Sequence, residues 1–440
     1  MLRFGTDGVR GDAENDLTSA LVFSLGRAAA RVLGREFVVG RDTRESGRRI
    51  ERDFRAGVGY ERGTARTLGV LPTPGVAYYA QRFGAAAAVI SASHNPWTDN
   101  GIKLLAPGGR KLDDGVEARI EAEMSELDPA QARWSSEAPR RHGHREYVEH
   151  LVDALDGRNL DGMRVVLDCA NGAACEVGPE AFAAAGADVT VIHAAPDGRN
   201  INAGCGSTHP GSMQEAVRST GADVGLALDG DADRVIAADE RGELVDGDQI
   251  MTALALDLQA RGRLDQGAIA VTVMSNLGLR RALHAAGIEV VETPVGDRNV
   301  LATLDERGLA LGGEQSGHVI VPRLATTGDG VLTGLLLCDL AARSGRRVSE
   351  LGAQMERFPQ VLENVTVRGR PDLGSADELR REVAAVEAEL GDRGRVLVRA
   401  SGTEPLIRVM VEAATEDEAR AAVSRLRKAV ERAFPADQNS

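Results

Sequence analysis

Arg164-Val165-Val166-Leu167-Asp168, an alanine-rich segment from Pro179 to Ala185, Gly186 and Val189-Thr190-Val191-Ile192 decide the fold of this chain. A short apolar run, an amphipathic segment, a glycine and a second β-branched run make the pattern of a β-α-β unit. The pattern recurs from Ala268-Ile269-Ala270-Val271-Thr272-Val273 through Leu277 to Ala286 and Gly287 into Glu289-Val290-Val291-Glu292. A looser copy runs from Phe37-Val38-Val39-Gly40 through Ile50 to Tyr60 and Gly63 into Thr67-Leu68-Gly69-Val70. These copies predict an α/β chain of three tandem related α/β domains with mixed sheets. The remainder reads differently. Val365-Thr366-Val367, a helix from Ser375 to Leu390, strands Arg395 to Arg399 and Ile407 to Glu412, and a helix from Glu416 to Phe434 predict a smaller C-terminal α+β domain. The expected domains are 1–150, 151–246, 247–362 and 363–440.

Acidic residues outnumber basic ones by 66 to 52, a formal charge of −14, which disfavours a broad surface for nucleic acid or an anionic membrane. Apolar stretches such as Ala85 to Ile90 and Val331 to Leu340 fall well short of a membrane span. The stretch from Met1 to Gly8 lacks the basic head and apolar body of a signal peptide. Cys169, Cys175, Cys205 and Cys338 contain no C-x-x-C pair and read as reduced, buried residues of a cytoplasmic protein.

The strongest chemical signal is Asp229-Gly230-Asp231-Ala232-Asp233-Arg234. Three adjacent carboxylates repel one another unless a cation lies between them, and an all-oxygen donor set suits magnesium or calcium. An EF-hand loop and a solvated acidic turn are the alternatives. Glu240 does stand at the twelfth EF-hand position, but Arg234 occupies the sixth, where that loop turns on glycine. Val224 to Leu228 and Val235 to Ala238 read as flanking strands, whereas an EF-hand needs helices.

Each of the other units carries one polar loop segment. Ser91-Ala92-Ser93-His94-Asn95-Pro96 follows a buried strand, and a capping or turn role is the plain alternative for its serines. Gly312-Gly313-Glu314-Gln315-Ser316-Gly317-His318 mixes donors and acceptors in a way that suits a polyol, or else is a helix-capping turn. Arg399-Ala400-Ser401-Gly402-Thr403-Glu404-Pro405 with Arg408 has the chemistry of an anion site, or of a surface turn beside a cross-strand arginine. Gly57-Val58-Gly59-Tyr60-Glu61-Arg62-Gly63 has glycines at the wrong spacing for a dinucleotide loop, and no P-loop occurs. A hard-cation site beside sugar-like and phosphate-like loops, with no nucleotide cradle, points to phosphoryl transfer on a phosphorylated sugar.

These segments, with Phe4-Gly5-Thr6-Asp7-Gly8-Val9-Arg10-Gly11, Cys205-Gly206-Ser207-Thr208-His209-Pro210 and Val273-Met274-Ser275-Asn276-Leu277-Gly278, resemble the α-D-phosphohexomutases from residue 3 to about 430. The match is close to the bacterial branch that acts on glucosamine phosphates. The resemblance implies that Ser93 is a phosphoserine and that its phosphate, with Asp229, Asp231 and Asp233, holds one Mg²⁺. It implies a reversible conversion of glucosamine 6-phosphate to glucosamine 1-phosphate through bound glucosamine 1,6-bisphosphate, feeding UDP-N-acetylglucosamine and cell-wall synthesis. Arg399, Ser401, Gly402, Thr403 and Arg408 are then expected to grip the idle phosphate, and Glu314, Ser316 and His318 to read the sugar. His94, Lys103 and His318 are the implied proton carriers, and Arg10 and Arg234 would steady the phosphoserine. Gln315 favours glucosamine; a phosphomannomutase/phosphoglucomutase of broad specificity is the alternative substrate reading. A non-catalytic binding module or an aspartyl phosphatase would leave Ser93 without a task. The expected partner is a small-molecule sugar phosphate, and a homodimer is compatible with the sequence.

Overall fold

The computed structural model describes residues 5, 8–127, 144–369, 371–401 and 405–435. The first sheet contains β1 (Val9–Asp12), β2 (Glu36–Arg41), β3 (Thr64–Val70), β4 (Ala86–Ile90), β5 (Asp99–Ala106) and β6 (Arg110–Lys111). The second contains β7 (Arg164–Asp168), β8 (Asp188–Ile192), β9 (Val224–Leu228), β10 (Val235–Ala238) and β11 (Leu244–Val245). The third contains β12 (Ala268–Thr272), β13 (Glu289–Thr293), β14 (Gly312–Gly313) and β15 (Val319–Ile320), and the fourth β16 (Gln360–Thr366), β17 (Arg395–Ala400) and β18 (Leu406–Glu412).

One topology is used three times. The spatial orders β3-β2-β4-β5, β8-β7-β9-β10 and β13-β12-β14-β15 are equivalent. In each, the first strand pairs in parallel with the next two in sequence, and the last joins antiparallel through a short connection. Parallel strands covered on both faces read as continuous apolar runs, and every residue of β4, β9 and β12 is buried. The connections from β4 to β5, β9 to β10 and β14 to β15 carry Ser93, the three aspartates and Glu314 to His318 respectively. All three leave the carboxyl end of a parallel strand, where open α/β sheets bind ligands.

The helices of the three repeats form at Gly47–Tyr60, Val177–Ala184 and Leu277–Ala285. Phe37, Ile50, Phe54, Ala88 and Ile90 belong to the first core, with Phe37 and Phe54 edge to face at 5.8 Å. A Cβ on Gly57 would come within 2.1 Å of the Phe23 carbonyl oxygen, so this glycine serves the close approach of helices Ser19–Leu33 and Gly47–Tyr60.

The described chain forms two compact units, residues 1–274 with 286–354, and residues 275–285 with 355–440. The first unit therefore contains three sheets. The helix of the third repeat belongs to the second unit, where Asn276 exchanges hydrogen bonds with Phe358 and Leu277 N–H donates to Glu412. The second unit is the antiparallel sheet β16-β18-β17 with helices Asp377–Leu390 and Glu416–Ala433. Val409, Val411, Val423, Leu426 and Val430 lie in its core. Leu373–Ser375 is a 3₁₀ turn, so the helix expected from Ser375 begins at Asp377. Cys169, Cys205 and Cys338 are buried, but Cys175, expected to be buried as well, is only half-buried beside the turn after β7. Among the described residues no helix is long and apolar enough to cross a membrane.

Helix Gly330–Ser344 starts on a buried aspartate. Asp329 accepts from Leu332 N–H at 2.9 Å and from the Tyr147 hydroxyl at 2.6 Å, yet burial pushes its carboxyl from 3.8 up to about 6. A carboxyl raised by folding contributes stability that is full below pH 3.8 and lost as pH rises through about 6. Asn at 329 keeps Oδ1 as the acceptor for Leu332 N–H and presents Nδ2 to the Tyr147 oxygen, which then accepts. Asp329→Asn should therefore melt above the parent at pH 7, by up to about 3 kcal/mol, with the gap closing below pH 4. Thermal melts of both proteins across this range check the sign.

Candidate active site

Ser93 follows β4 with a φ of 50°, a left-handed conformation that costs a non-glycine residue about 1–2 kcal/mol. Its neighbours hold it there. Ser91 Oγ donates to Asp42 Oδ2 at 2.6 Å and accepts from Ser93 N–H at 2.9 Å. The Ser93 carbonyl accepts from Arg44 at 3.2 Å and from Asn202 Nδ2 at 2.9 Å. Arg44 is itself paired with Asp42. The result aims Ser93 Oγ at Asp229 Oδ2, to which it donates at 2.5 Å.

The three carboxylates stand on the turn from β9 to β10, 5% exposed at most. One carboxylate oxygen from each lies within 4.8 Å of the others. Gly230 lets this turn meet the serine loop, since a Cβ there would come within 2.5 Å of the Ser93 carbonyl oxygen. Thr73, the first residue of helix Thr73–Phe83, donates from Oγ1 to Asp231 Oδ2 at 2.6 Å. Lys103, on β5, spans Asp231 Oδ2 at 2.8 Å and Asp233 Oδ2 at 3.4 Å.

Burial pushes all three carboxyls upward, and repulsion by neighbouring aspartates adds to this at Asp229 and Asp231. Lys103 reverses this for Asp231 and Asp233, the latter with help from His318 and Arg234, and both end below the usual carboxylate range. Asp229 has no such help from Lys103 and is held well above that range by burial, Asp233 and Asp231. Among the described residues, the buried Oδ1 atoms of Asp231 and Asp233 accept no hydrogen bond. Unsatisfied buried carboxylate oxygens are costly, and a hard divalent cation fits this all-oxygen set. The EF-hand alternative fails here. Glu240 accepts instead from Ser349 N–H at 3.2 Å and its hydroxyl at 2.6 Å, and the aspartates sit between antiparallel strands.

The third equivalent turn joins the second. Val235 N–H donates to the Gly317 carbonyl at 3.1 Å, and Gly317, with φ 90°, would place a Cβ 2.0 Å from the Val235 carbonyl oxygen. His318 is 1% exposed. Its Nε2 accepts from Gly328 N–H at 3.0 Å, and Nδ1 lies 3.7 Å from Asp233 Oδ2. Burial pushes this imidazole down, and Asp233, Asp297 and Glu314 more than offset it, while the Gly328 N–H opposes a second ring proton. His318 is thus placed to orient Asp233. Glu314 Oε1 accepts from Gly296 N–H at 3.1 Å, and Ser316 is exposed.

His94 Nδ1 lies 3.3 Å from Ser93 Oγ. Burial, then Arg234 and Arg10, push its pKa down, leaving it neutral near pH 7 with two guanidinium groups close by. Arg234 Nε is 3.7 Å from Asp233 Oδ1. A neutral base and two cations around a serine oxygen suit a phosphoryl dianion.

In the second unit, Arg399 and Arg408 stand opposite each other on β17 and β18. Burial and Arg408 both lower the pKa of Arg399, and among the described residues its Nε is buried without a hydrogen-bond partner. Like charges in direct register repel, and the unpaired Arg399 Nε is suited to an anion. Ser401 is buried beside it. Gly402 and Thr403 lie outside the described residues. Asp42, Arg44, Thr73 and Asn202 were not anticipated; the polar run Asp42-Thr43-Arg44 directly after β2 was the available signal for the first two.

Models of the phosphoglucomutase/phosphomannomutase family match the chain in four parts. Its alpha/beta/alpha domains I, II and III match residues 1–131, 145–242 and 246–358, and its C-terminal domain matches 346–429. Phosphoglucosamine mutase from Nocardia farcinica is 50% identical, over 93% of this chain and 95% of its own. A phosphoglucomutase/phosphomannomutase family protein from Burkholderia thailandensis is similar in structure, with a TM-score of 0.81, 23% identity and coverage of 98% and 99% of the two chains. Aspergillus fumigatus N-acetylphosphoglucosamine mutase, solved with GlcNAc-6P and magnesium, has a TM-score of 0.72 at 20% identity, over 98% of this chain and 96% of its own.

Proposed function

Since the chain belongs to the phosphoglucomutase/phosphomannomutase family, the α-D-phosphohexomutases, we propose that it acts as a phosphoglucosamine mutase working through phosphorylated Ser93. The observation that carries this reading is the contact of Ser93 Oγ with Asp229 Oδ2 at 2.5 Å, across 136 residues of sequence. It brings a nucleophile-type oxygen onto a carboxylate cluster that suits Mg²⁺. We assign that ion to Asp229, Asp231, Asp233 and the Ser93 phosphate. When bound, Mg²⁺ draws charge from the transferring phosphoryl group.

The phosphoryl group passes from Ser93 Oγ to O1 of glucosamine 6-phosphate, and after the bound 1,6-bisphosphate turns over, Ser93 Oγ takes the phosphoryl group from O6. In each transfer one proton leaves the attacking hydroxyl and one reaches the departing oxygen. When Ser93 Oγ attacks the bisphosphate, neutral His94 Nδ1, 3.3 Å from that oxygen, is placed to accept the first of these. Lys103 is the candidate at the sugar hydroxyl. Arg10 and Arg234 hold the serine phosphate, while Arg399, Ser401, Gly402, Thr403 and Arg408 hold the one not reacting. Glu314, Ser316 and His318 serve the sugar loop. Division into 1–150, 151–246, 247–362 and 363–440 gives each of these loops its own domain. Positioning and electrostatics are the main catalytic terms in such transfers. A cytoplasmic setting agrees with four free cysteines.

With catalytic hexose 1,6-bisphosphate present, glucosamine 1-phosphate should turn over at least about tenfold faster than glucose 1-phosphate or mannose 1-phosphate. Faster turnover of either of the latter in a rate panel would overturn the substrate assignment and leave the reaction class standing.

A further inference from the structure

Asp168, His193 and Cys205, none of them among the residues assigned above to catalysis, meet at the carboxyl end of the second sheet. Asp168 ends β7, His193 follows β8, and Cys205 lies on the connection to helix Gly211–Thr220. One donor atom of each, an oxygen, a nitrogen and a sulfur, lies within 4.8 Å of the others. Asp168 is fully buried and is fixed by two backbone donors, Ala170 N–H to Oδ1 at 2.8 Å and Gly206 N–H to Oδ2 at 2.9 Å. His193 Nδ1 is 3.1 Å from Asp168 Oδ2. It is nevertheless a buried atom without a hydrogen-bond partner, so the two groups approach without the alignment of a hydrogen bond. The edge between two ligands of a tetrahedral zinc site is about 3.3 Å, from bond lengths near 2.0–2.1 Å.

We propose that Asp168, His193 and Cys205 form a second cation site, selective for a borderline-soft divalent ion of the zinc class. Sulfur and imidazole donors disfavour magnesium as the occupant, whereas an all-oxygen cluster suits it. The side chain of His193 is 31% exposed, which gives the ion a way in from solvent. Its backbone is held at φ 47° by Asn171 N–H, which donates to the His193 carbonyl at 2.7 Å. Coordination replaces the S–H bond of Cys205 with a sulfur–metal bond, and the proton passes to buffer. The site is wired to the active centre by short stretches of chain. Ser207 N–H donates to the Leu228 carbonyl at 2.9 Å, one residue before Asp229, and Asn202, three residues before Cys205, holds the Ser93 carbonyl.

The test is a Co²⁺ titration of the full chain with saturating Mg²⁺ occupying hard-oxygen sites. One equivalent should bind with a thiolate-to-cobalt charge-transfer band, and Zn²⁺ should displace it. Cys205→Ser should abolish the band, and His193→Gln should weaken binding at least about tenfold. Cys175→Ser and Cys338→Ser should retain it. His193→Gln, at a partly exposed position, guards against a Cys205 variant that fails to fold. Absence of a thiolate band in the parent would overturn the proposal. So would a band that survives Cys205→Ser, or one lost in Cys175→Ser with normal melting. Because the readout is metal binding, it stands apart from any result on mutase turnover.

Discussion

Ser93→Ala abolishes turnover, with kcat falling by about 10⁴-fold or more, the scale seen when a covalent nucleophile is removed. No other hydroxyl can replace it, because the loop around position 93 is built to aim one oxygen. Arg44, Asn202 and Ser91 fix the backbone of Ser93 in its left-handed conformation, and Oγ meets Asp229 at 2.5 Å. The stability cost is small by comparison. Alanine loses one hydrogen bond to a buried carboxylate, about 1–2 kcal/mol, so the variant should melt near the parent. A folded protein without turnover separates loss of the nucleophile from loss of the fold. Undiminished turnover would revive a mechanism in which an aspartate carries the phosphoryl group.

The second large effect is expected at Lys103. Its ammonium is the nearest cation to Asp231 and Asp233, at 2.8 Å and 3.4 Å, and it is itself 6% exposed. Removing one partner of a buried ion pair leaves the other uncompensated and costs about 3–5 kcal/mol. Lys103→Met should therefore lose about that much stability in metal-free buffer. A divalent cation supplies the missing charge, so Mg²⁺ should raise the melting temperature of the variant by more than it raises that of the parent. A mere packing residue would give the same Mg²⁺ response in both proteins. Turnover should also drop, since Lys103 is the proton carrier assigned to the sugar hydroxyl.

What could be read from the sequence follows the range of the interactions. The β-α-β units are local, and the apolar runs at Arg164–Asp168, Ala268–Thr272 and Glu36–Arg41 became the parallel strands they resembled. The aspartate cluster was legible because its members lie within five residues of chain. Its partners were not. Thr73 and Lys103 reach Asp231 across 158 and 128 residues; Thr73 carries no signal at its own position, and Lys103 was expected, from the resemblance, only as a proton carrier. Asn202 is likewise an ordinary loop residue until the fold brings it to the Ser93 carbonyl. Helix Leu277–Ala285 shows a second limit. Its amphipathic pattern fixes that it is a helix, while membership of the second unit depends on Asn276, Phe358 and Glu412 meeting in three dimensions. The equivalence of the three functional turns, by contrast, emerges only when strand order is known.

The account rests on a phosphoryl group that resides on Ser93 between half-reactions. Intact mass spectrometry of the purified chain, before and after incubation with hexose 1,6-bisphosphate and Mg²⁺, tests this directly. The parent should gain one phosphoryl group that passes to excess glucosamine 6-phosphate when that acceptor is added, and Ser93→Ala should gain none. A phosphoryl adduct of equal occupancy in Ser93→Ala, or a parent that turns substrate over without ever acquiring one, would contradict it.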